Sequence, residues 1–307
     1  MIVHLIDGTY ELFRHFYGMR RFNKGTDRPH GAVVGVLQSV LQMIEGGATH
    51  VGVATDHVVE SFRNDLWDGY KTGDGIEPVL KAQFWPLEEA LVAMGVVTWP
   101  MIELEADDAL ASAARIAALD ARVERVCIWT VDKDLGQCVR GDHVVQVSRK
   151  AKSVLDAAAI REKFGVPPER IADLLALVGD AADGYPGISG IGAVTARSLI
   201  NRHGAIEDFP PEVLGDNNDL ALRFKTIATL KDDAPLFDDV DTLLWRGPTP
   251  DFAPYAAKLD AARLVERAEK ALKLQAKALA GGKTIARCAS TANRLRSARA
   301  RSTRSSR

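Results

Sequence analysis

Three short apolar runs rich in Val and Ile, Ile2 to Ile6, His50 to Thr55 and Val126 to Val131, punctuate the first half of the chain. Between them lie stretches whose apolar residues recur at helical spacing, around Ala32 to Ile44, Ala82 to Met94 and Asp107 to Leu119. Short apolar runs alternating with amphipathic helices predict buried parallel strands with helices on both faces, an α/β domain. A further short strand at Val96 to Trp99 leads towards Glu105. From about residue 165 the pattern turns mainly helical. It predicts helices at Ile171 to Val178 and Val194 to Asn201, joined by a Gly-rich segment from Gly179 to Gly192, then a break at Phe209 to Pro211 and a helix at Ala257 to Leu279. The expected division is an α/β unit over 1–164, a helical unit over 165–280 and a tail over 281–307. The tail is Arg, Ser and Ala without apolar periodicity, which predicts disorder. There is no internal repeat.

Composition narrows the class. Hydrophobic content of 47% and charged content of 26% over 307 residues are those of a globular protein and exclude a fibrous repeat or wholesale disorder. No uncharged run reaches the roughly 20 residues that a spanning helix needs. Met1 to Ile6 has no basic region before its apolar residues, so it reads as a strand rather than a secretory leader, and a cytoplasmic location is expected. Cys127, Cys138 and Cys288 are scattered, with no CxxC pair to build a thiolate metal site. The net charge of -2 hides an asymmetry. Residues 281–307 carry Lys283 and seven Arg with no acid, leaving residues 1–280 with 31 basic against 41 acidic side chains. An acidic body with a basic tail must concentrate its cations locally, or screen its acids with bound ions, to meet a polyanion.

The chemistry gathers where the strands end. Asp7 closes the first, Asp56 the second and Asp132 the third, with Asp134 two residues on. In an open parallel sheet the carboxyl ends share one edge, and ligands bind in the crevice outside it. Glu105, Asp107 and Asp108 open the Ala-rich helix, and Asp180 and Asp183 flank the turn after Leu177. Helix capping or dipole compensation accounts for any one of these acids alone. It does not account for Asp132-Lys133-Asp134, the Glu105-to-Asp108 run and two more strand-end Asp together. So many anions at one edge would repel, and several would stay protonated unless cations sat among them. With oxygen ligands only, and no His or Cys in these motifs, the expected ion is hard: Mg²⁺, with Mn²⁺ able to substitute. Two such ions suit phosphodiester hydrolysis. The sequence lacks the G-x-x-x-x-G-K-[ST] loop of nucleotide-dependent phosphoryl transfer.

Substrate-handling groups lie close by in sequence. Ser61-Phe62-Arg63 and Gly69-Tyr70-Lys71 follow Asp56, bringing two cations and an aromatic ring; an aromatic can stack a base while Lys and Arg hold phosphates. Arg14 on the first helix is a similar cation, flanked by Phe13 and Phe16, which read as core. Gly187-Ile188-Ser189-Gly190-Ile191-Gly192, followed by Val194 and Thr195, predicts a Gly-rich hairpin between two helices. Such a hairpin can aim backbone N–H groups at a phosphate without reading bases, which makes Gly187, Ser189, Gly190, Gly192 and Thr195 candidate DNA contacts.

These motifs occur in a family order. Leu5-Ile6-Asp7-Gly8, Ser61-Phe62-Arg63, Gly69-Tyr70-Lys71, Glu105-Ala106-Asp107-Asp108, Thr130 to Leu135, Gly179 to Asp183 and Pro186 to Gly192 together make the chain resemble the 5′-to-3′ exonuclease and flap endonuclease family over about residues 1 to 250. That family includes the N-terminal nuclease domain of bacterial DNA polymerase I. The resemblance implies a PIN-like α/β nuclease domain with a parallel sheet, followed by a helical helix-hairpin-helix domain that grips duplex DNA and can hold a K⁺ ion. It implies two divalent ions among Asp7, Asp56, Glu105, Asp107, Asp108, Asp132, Asp134, Asp180 and Asp183, and an arch that threads a 5′ strand. Lys71, Arg14 and Tyr70 would act at the scissile phosphate and terminal nucleotides, and Arg63 would contact DNA. With no polymerase region following, it implies a stand-alone, monomeric form whose partner is DNA with a 5′ end or 5′ flap. Two positions depart from the pattern: Asp74 stands where the family has a basic residue, and Gly184 where it has Asn. A PIN-type ribonuclease shares the acidic α/β site but usually lacks the second domain. A non-catalytic DNA-junction binder would have lost carboxylates, and none is missing.

Overall fold

The computed structural model describes residues 1–23, 29–149 and 151–280; the basic tail expected to be disordered lies outside the described residues. In chain order the elements are β1 Ile2–Asp7, α1 Gly8–Asn23, α2 Gly31–Glu45, β2 His50–Asp56, α3 Arg63–Leu66, α4 Pro78–Lys81, α5 Phe84–Ala93, β3 Val97–Met101, α6 Ala106–Leu119, β4 Arg125–Trp129, β5 Val144–Ser148, β6 Ser153–Leu155, α7 Ala157–Phe164, α8 Ile171–Val178, α9 Ala193–His203, α10 Pro211–Leu214, α11 Asn218–Ala228, α12 Phe252–Lys258 and α13 Arg263–Ala280.

The strands form one sheet in the order β3-β2-β1-β4-β5-β6, parallel except for the antiparallel β6. β1 to β3 build outward in one direction, and the chain then crosses back to place β4 on the other side of β1. Right-handed crossovers therefore put α1, α2 and α5 on one face and α6 on the other. Alternation along the strands matches: Ile6 and Val53 face α2 and α5, whereas Val3, Leu5, Val126 and Ile128 face the small residues of α6, Ala106, Ala109, Ala113 and Ala117. The reversal of strand order lies between β1 and β4. In such sheets that point is where the crevice opens.

Residues 160–228 build a separate helical core, in which Ile171, Leu175, Leu177, Ile200 and Phe224 are buried together. Tyr70 and Val139 of the α/β unit enter this core, and Trp67 packs edge-on against Phe224 with ring centroids 5.0 Å apart. The helical unit expected over 165–280 does not run to its end. From about residue 230 the chain returns to the α/β unit: Val240 and Leu243 pack beneath the sheet with α6, Trp245 donates its indole N–H to Met94 O at 2.9 Å, and α12 and α13 cover α2 and α5. The single helix expected from Ala257 to Leu279 is two, broken where Asp260 takes a left-handed conformation (φ 52°). The break lets Phe252 and Leu264 reach the same core from two directions. Among the described residues no helix is long and apolar enough to cross a membrane.

Candidate active site

β1 and β2 each end in an acid at the carboxyl edge, beside the switch point. Asp7, the last residue of β1, accepts from Tyr10 N at 2.8 Å and from Thr130 Oγ1 at 2.9 Å. Asp56 closes β2 and accepts from Ala106 N at 2.8 Å, which ties it to the start of α6. β4 ends at Trp129, earlier than the run to Val131 suggested, so Asp132 sits in the following loop and accepts from Asp134 N at 2.9 Å. Asp134 opens a 3₁₀ turn through Cys138. Glu105 is the N-cap of α6 in a reciprocal capping box with Asp108, so the capping role and the site role coexist in one motif. Asp180 and Asp183 come from the turn after α8, where an oxygen of each and one of Asp134 lie within 4.8 Å of one another.

Electrostatics connect the acids into one set, with Asp132 acting on Asp7 and Asp107 to one side and on Asp134 to the other. Burial, then the charges of Asp56 and Asp132, push Asp7 up to about 7 against the hydrogen bonds it accepts. Burial raises Asp56, and burial followed by the charges of Asp132 and Asp7 raises Asp107 well above the usual carboxylate range. Asp134 is raised in the same way by burial and then by Asp132 and Asp183, and Asp183 by burial. Two cations already serve this crowd: Lys71 Nζ bridges Glu105 at 2.8 Å and Asp183 at 3.0 Å, and Lys133 pairs with Asp180. Asp134 Oδ1 is buried without a hydrogen-bond partner. An orphaned carboxylate oxygen on a residue clustered with two further Asp is an uncompensated cost that a divalent ion would relieve.

Not every expected residue reaches the crevice as expected. Arg63 is 1% exposed and spends its guanidinium on Asp108, with two bonds of 2.7 Å, on Glu105 at 3.2 Å and on the carbonyls of Ile227 and Thr229 at 2.8 and 3.2 Å. It is a buried strut between α6 and α11 and offers nothing to DNA. Asp108 is wholly buried, holds Arg63 and accepts from Glu105 N and Lys231 N, so its oxygens are not free for an ion. Tyr70 has its ring in the helical core and only 4% exposed; instead of stacking a base, it donates its hydroxyl to Glu105 at 3.0 Å. Gly187 is buried against Gly179, whereas Ser189, Gly190 and Gly192 on the hairpin and Thr195 at the start of α9 are exposed. Arg14 is paired with Glu11 at 2.5 Å and its side chain is 30% exposed.

The two departures also resolve physically. Gly184 has φ 84° and its α-carbon approaches Gly69 so closely that a Cβ would lie 2.0 Å from Gly69 O. Any side chain there would push the Tyr70-Lys71 loop off the turn, and the turn keeps its bonds through the backbone, Gly184 N to Asp180 O and Lys71 N to Asp183 O, both 2.9 Å. Asp74 is exposed in a loop whose only helices between Asp56 and α5 are the four-residue α3 and α4, so a long helical arch is not formed by the described residues. Sequence reasoning passed over Thr130 and Lys133, which fix Asp7 and Asp180. Both lie within the Thr130-to-Asp134 motif, where the signal was available.

The chain matches the model of the 5′-3′ exonuclease N-terminal resolvase-like domain over residues 2–165 and that of the 5′-3′ exonuclease C-terminal SAM fold over residues 166–251. It is 30% identical over 207 residues to a 5′-3′ exonuclease of Buchnera aphidicola subsp. Schizaphis graminum, covering 66% of this chain and 71% of that protein. It is 33% identical over 259 residues to DNA polymerase I of Pseudomonas aeruginosa, covering 78% of this chain but 28% of that one, so it spans less than a third of that relative. The fold is that of a bacteriophage T5 flap endonuclease solved as a complex with DNA and metal ions (TM-score 0.60, 20% identity, 90% of this chain and 99% of that one). It is also that of the catalytic core of Rad2 in complex with DNA substrate (TM-score 0.57, 15% identity, 89% and 91%).

The raised carboxyls set a pH dependence. Folded Asp7 holds its proton up to about 7, whereas an unfolded Asp releases it near 4, so between those values the folded state binds more protons. Its contribution to stability is present below about pH 4 and is lost as pH rises through about 7; Asp107 and Asp134 act in the same direction. Melting temperature in EDTA is expected to fall between about pH 5 and pH 7.5, and a millimolar divalent cation to offset the fall. A melting temperature that climbs over this range, or ignores the divalent cation, would contradict this reading of the carboxyls.

Proposed function

This chain belongs to the 5′-3′ exonuclease family, and from that premise we propose that it is a structure-selective 5′ nuclease that hydrolyses DNA phosphodiesters with two Mg²⁺ ions. The observation that carries the reading is the gathering of Asp134, which has a buried, unpartnered Oδ1, with Asp180 and Asp183, beside Asp7 and Asp107, whose carboxyls burial and neighbouring acids push up. Asp134, Asp180 and Asp183 would hold one ion. Asp7, Asp56, Asp107 and Asp132 would hold the other, with Glu105 between the groups. When bound, the ions supply a polarised water and neutralise charge on the phosphate and leaving oxygen.

The chain's own side chains do the rest. Lys71, at 32% exposure, bridges Glu105 and Asp183 while no ion competes, and once released it is placed to meet the scissile phosphate. Tyr70 and Ser61, with hydroxyls 3.0 and 2.6 Å from Glu105, hold that carboxylate in place. Arg14 of α1, bonded to Glu11, His15 and Ser39 with its side chain 30% exposed, would join Lys71 as a phosphate contact. The hairpin of Ser189, Gly190 and Gly192 precedes α9, which carries Thr195 in its first turn and whose first N–H groups have no side-chain cap and suit a duplex phosphate. A K⁺ ion at this hairpin is part of the same proposal. The helical unit favours DNA over the RNA substrate of a PIN-type ribonuclease.

Incubation with Mg²⁺ and 5′-flap, nicked, blunt and single-stranded DNA tests the reading, with products expected from the 5′ end or flap junction. Asp134→Ala is expected to abolish cleavage, while melting temperature holds or rises because one buried, repelled carboxyl is gone. Full activity in that variant would sink the metal assignment. Gly190 has φ 80° and no neighbour within 4 Å of a built Cβ, so Gly190→Val acts through backbone conformation and the DNA surface rather than packing. It should weaken duplex binding more than cleavage of short single strands, and equal loss on both would point to misfolding instead.

A further inference from the structure

The metal crevice has an aromatic neighbour that the reaction described above does not use. Trp85 is 61% exposed and is the one exposed tryptophan among the described residues. A single exposed apolar side chain is ordinary on a protein surface; what sets this ring apart is how it is held. It is not loose: its ring stacks on that of His57, with centroids 5.1 Å apart and planes 7° from parallel. Its indole N–H points to His57 O at 3.4 Å. His57 is itself fixed, with Nδ1 2.7 Å from Glu88 Oε2, and Glu88 is buried and also accepts from Thr55 Oγ1 at 2.9 Å. The pair is therefore a braced plate with one face covered and the other open to solvent.

Its position is set by topology. His57 directly follows Asp56, the acid that closes β2, and the chain must return along α5 to the amino edge of the sheet before entering β3. The first turn of α5, which carries Trp85, thus lies at the same carboxyl edge as the acids. Neighbouring loops add an apolar rim: His57 N and Val58 N both bond Met101 O, and Val58 and Ile102 are 37% and 58% exposed.

We propose that the Trp85–His57 pair is a stacking platform for an unpaired nucleobase of the strand that enters the crevice beside Asp56. This rests on the 5′ nuclease reading and adds to it a group that holds bases rather than phosphates. A base has a π-face whatever its identity, so the platform binds unpaired nucleotides without reading sequence, and fully paired bases, already stacked, do not use it. No charge is needed at the plate, which suits a region where Glu88 and Glu89 would oppose phosphate.

Binding of a duplex with a 5′ thymidine flap, measured by fluorescence anisotropy with Ca²⁺ in place of Mg²⁺, tests the platform. Trp85→Ala should raise Kd roughly five- to hundred-fold, with Trp85→Phe retaining most of the affinity. The penalty should vanish on a flap of the same length whose sugars carry no bases. Oligothymidylate should also quench part of the wild-type tryptophan emission, and Trp85→Phe should lose that part, which gives a readout even if the Ala variant folds poorly. An unchanged Kd in Trp85→Ala, an equal penalty on the abasic flap, or quenching that survives Trp85→Phe would overturn the platform. The nuclease reading fails separately: a base-dependent penalty without any Mg²⁺-dependent cleavage would leave the platform standing and remove the reaction.

Discussion

Anionic crowding at the carboxyl edge of one parallel sheet is the constraint on which the rest of this molecule turns. Asp7, Asp56, Asp107, the Asp132–Asp134 pair and the Asp180–Asp183 pair come from five segments, and burial raises Asp7, Asp56, Asp107, Asp134 and Asp183 above the usual carboxylate range. Without an ion, protons and two lysines share the burden, Lys71 between Glu105 and Asp183 and Lys133 on Asp180. A fold that collects so many unfavourable charges gives up stability at its site, and the cores above and below the sheet must offset it.

Holding the crowd together falls to groups that never touch substrate. Arg63 joins the α6 capping box to the end of α11, so the helical unit that would grip DNA is bonded through one guanidinium to the helix that presents Glu105 and Asp107. Removing one partner of such a buried, hydrogen-bonded pair leaves the other charge uncompensated, which costs about 3–5 kcal/mol. The Gly69–Gly184 contact and the Trp67–Phe224 packing add further bonds across the same boundary. Residues 230–280 then lock the α/β unit from the side opposite α6 and beneath it.

Much of this was legible in the sequence because its signals are local. Val- and Ile-rich runs ending in Asp fix both the strands and the edge where the acids meet, and topology alone then gathers Asp7, Asp56 and Asp132. What escaped depends on contacts distant in sequence. Nothing near Arg63 distinguishes a solvated cation from one buried against Asp108 and a carbonyl 164 residues away. Tyr70 beside Lys71 reads as a surface aromatic until the helical core closes over its ring. The return of the chain after residue 230 was hidden because a helix packed on the α/β unit and one packed on the helical unit have the same period. Trp85 carried no motif at all; only its exposure and its stack on His57 mark it.

Metal binding by calorimetry, with Mn²⁺ titrated into the metal-free protein near pH 7 in buffers of different ionisation enthalpy, addresses the central claim directly. If the crevice holds its acids protonated until ions displace the protons and Lys71, about two ions should bind per chain with a net release of protons. Binding without proton release, or no binding in the absence of DNA, would contradict it.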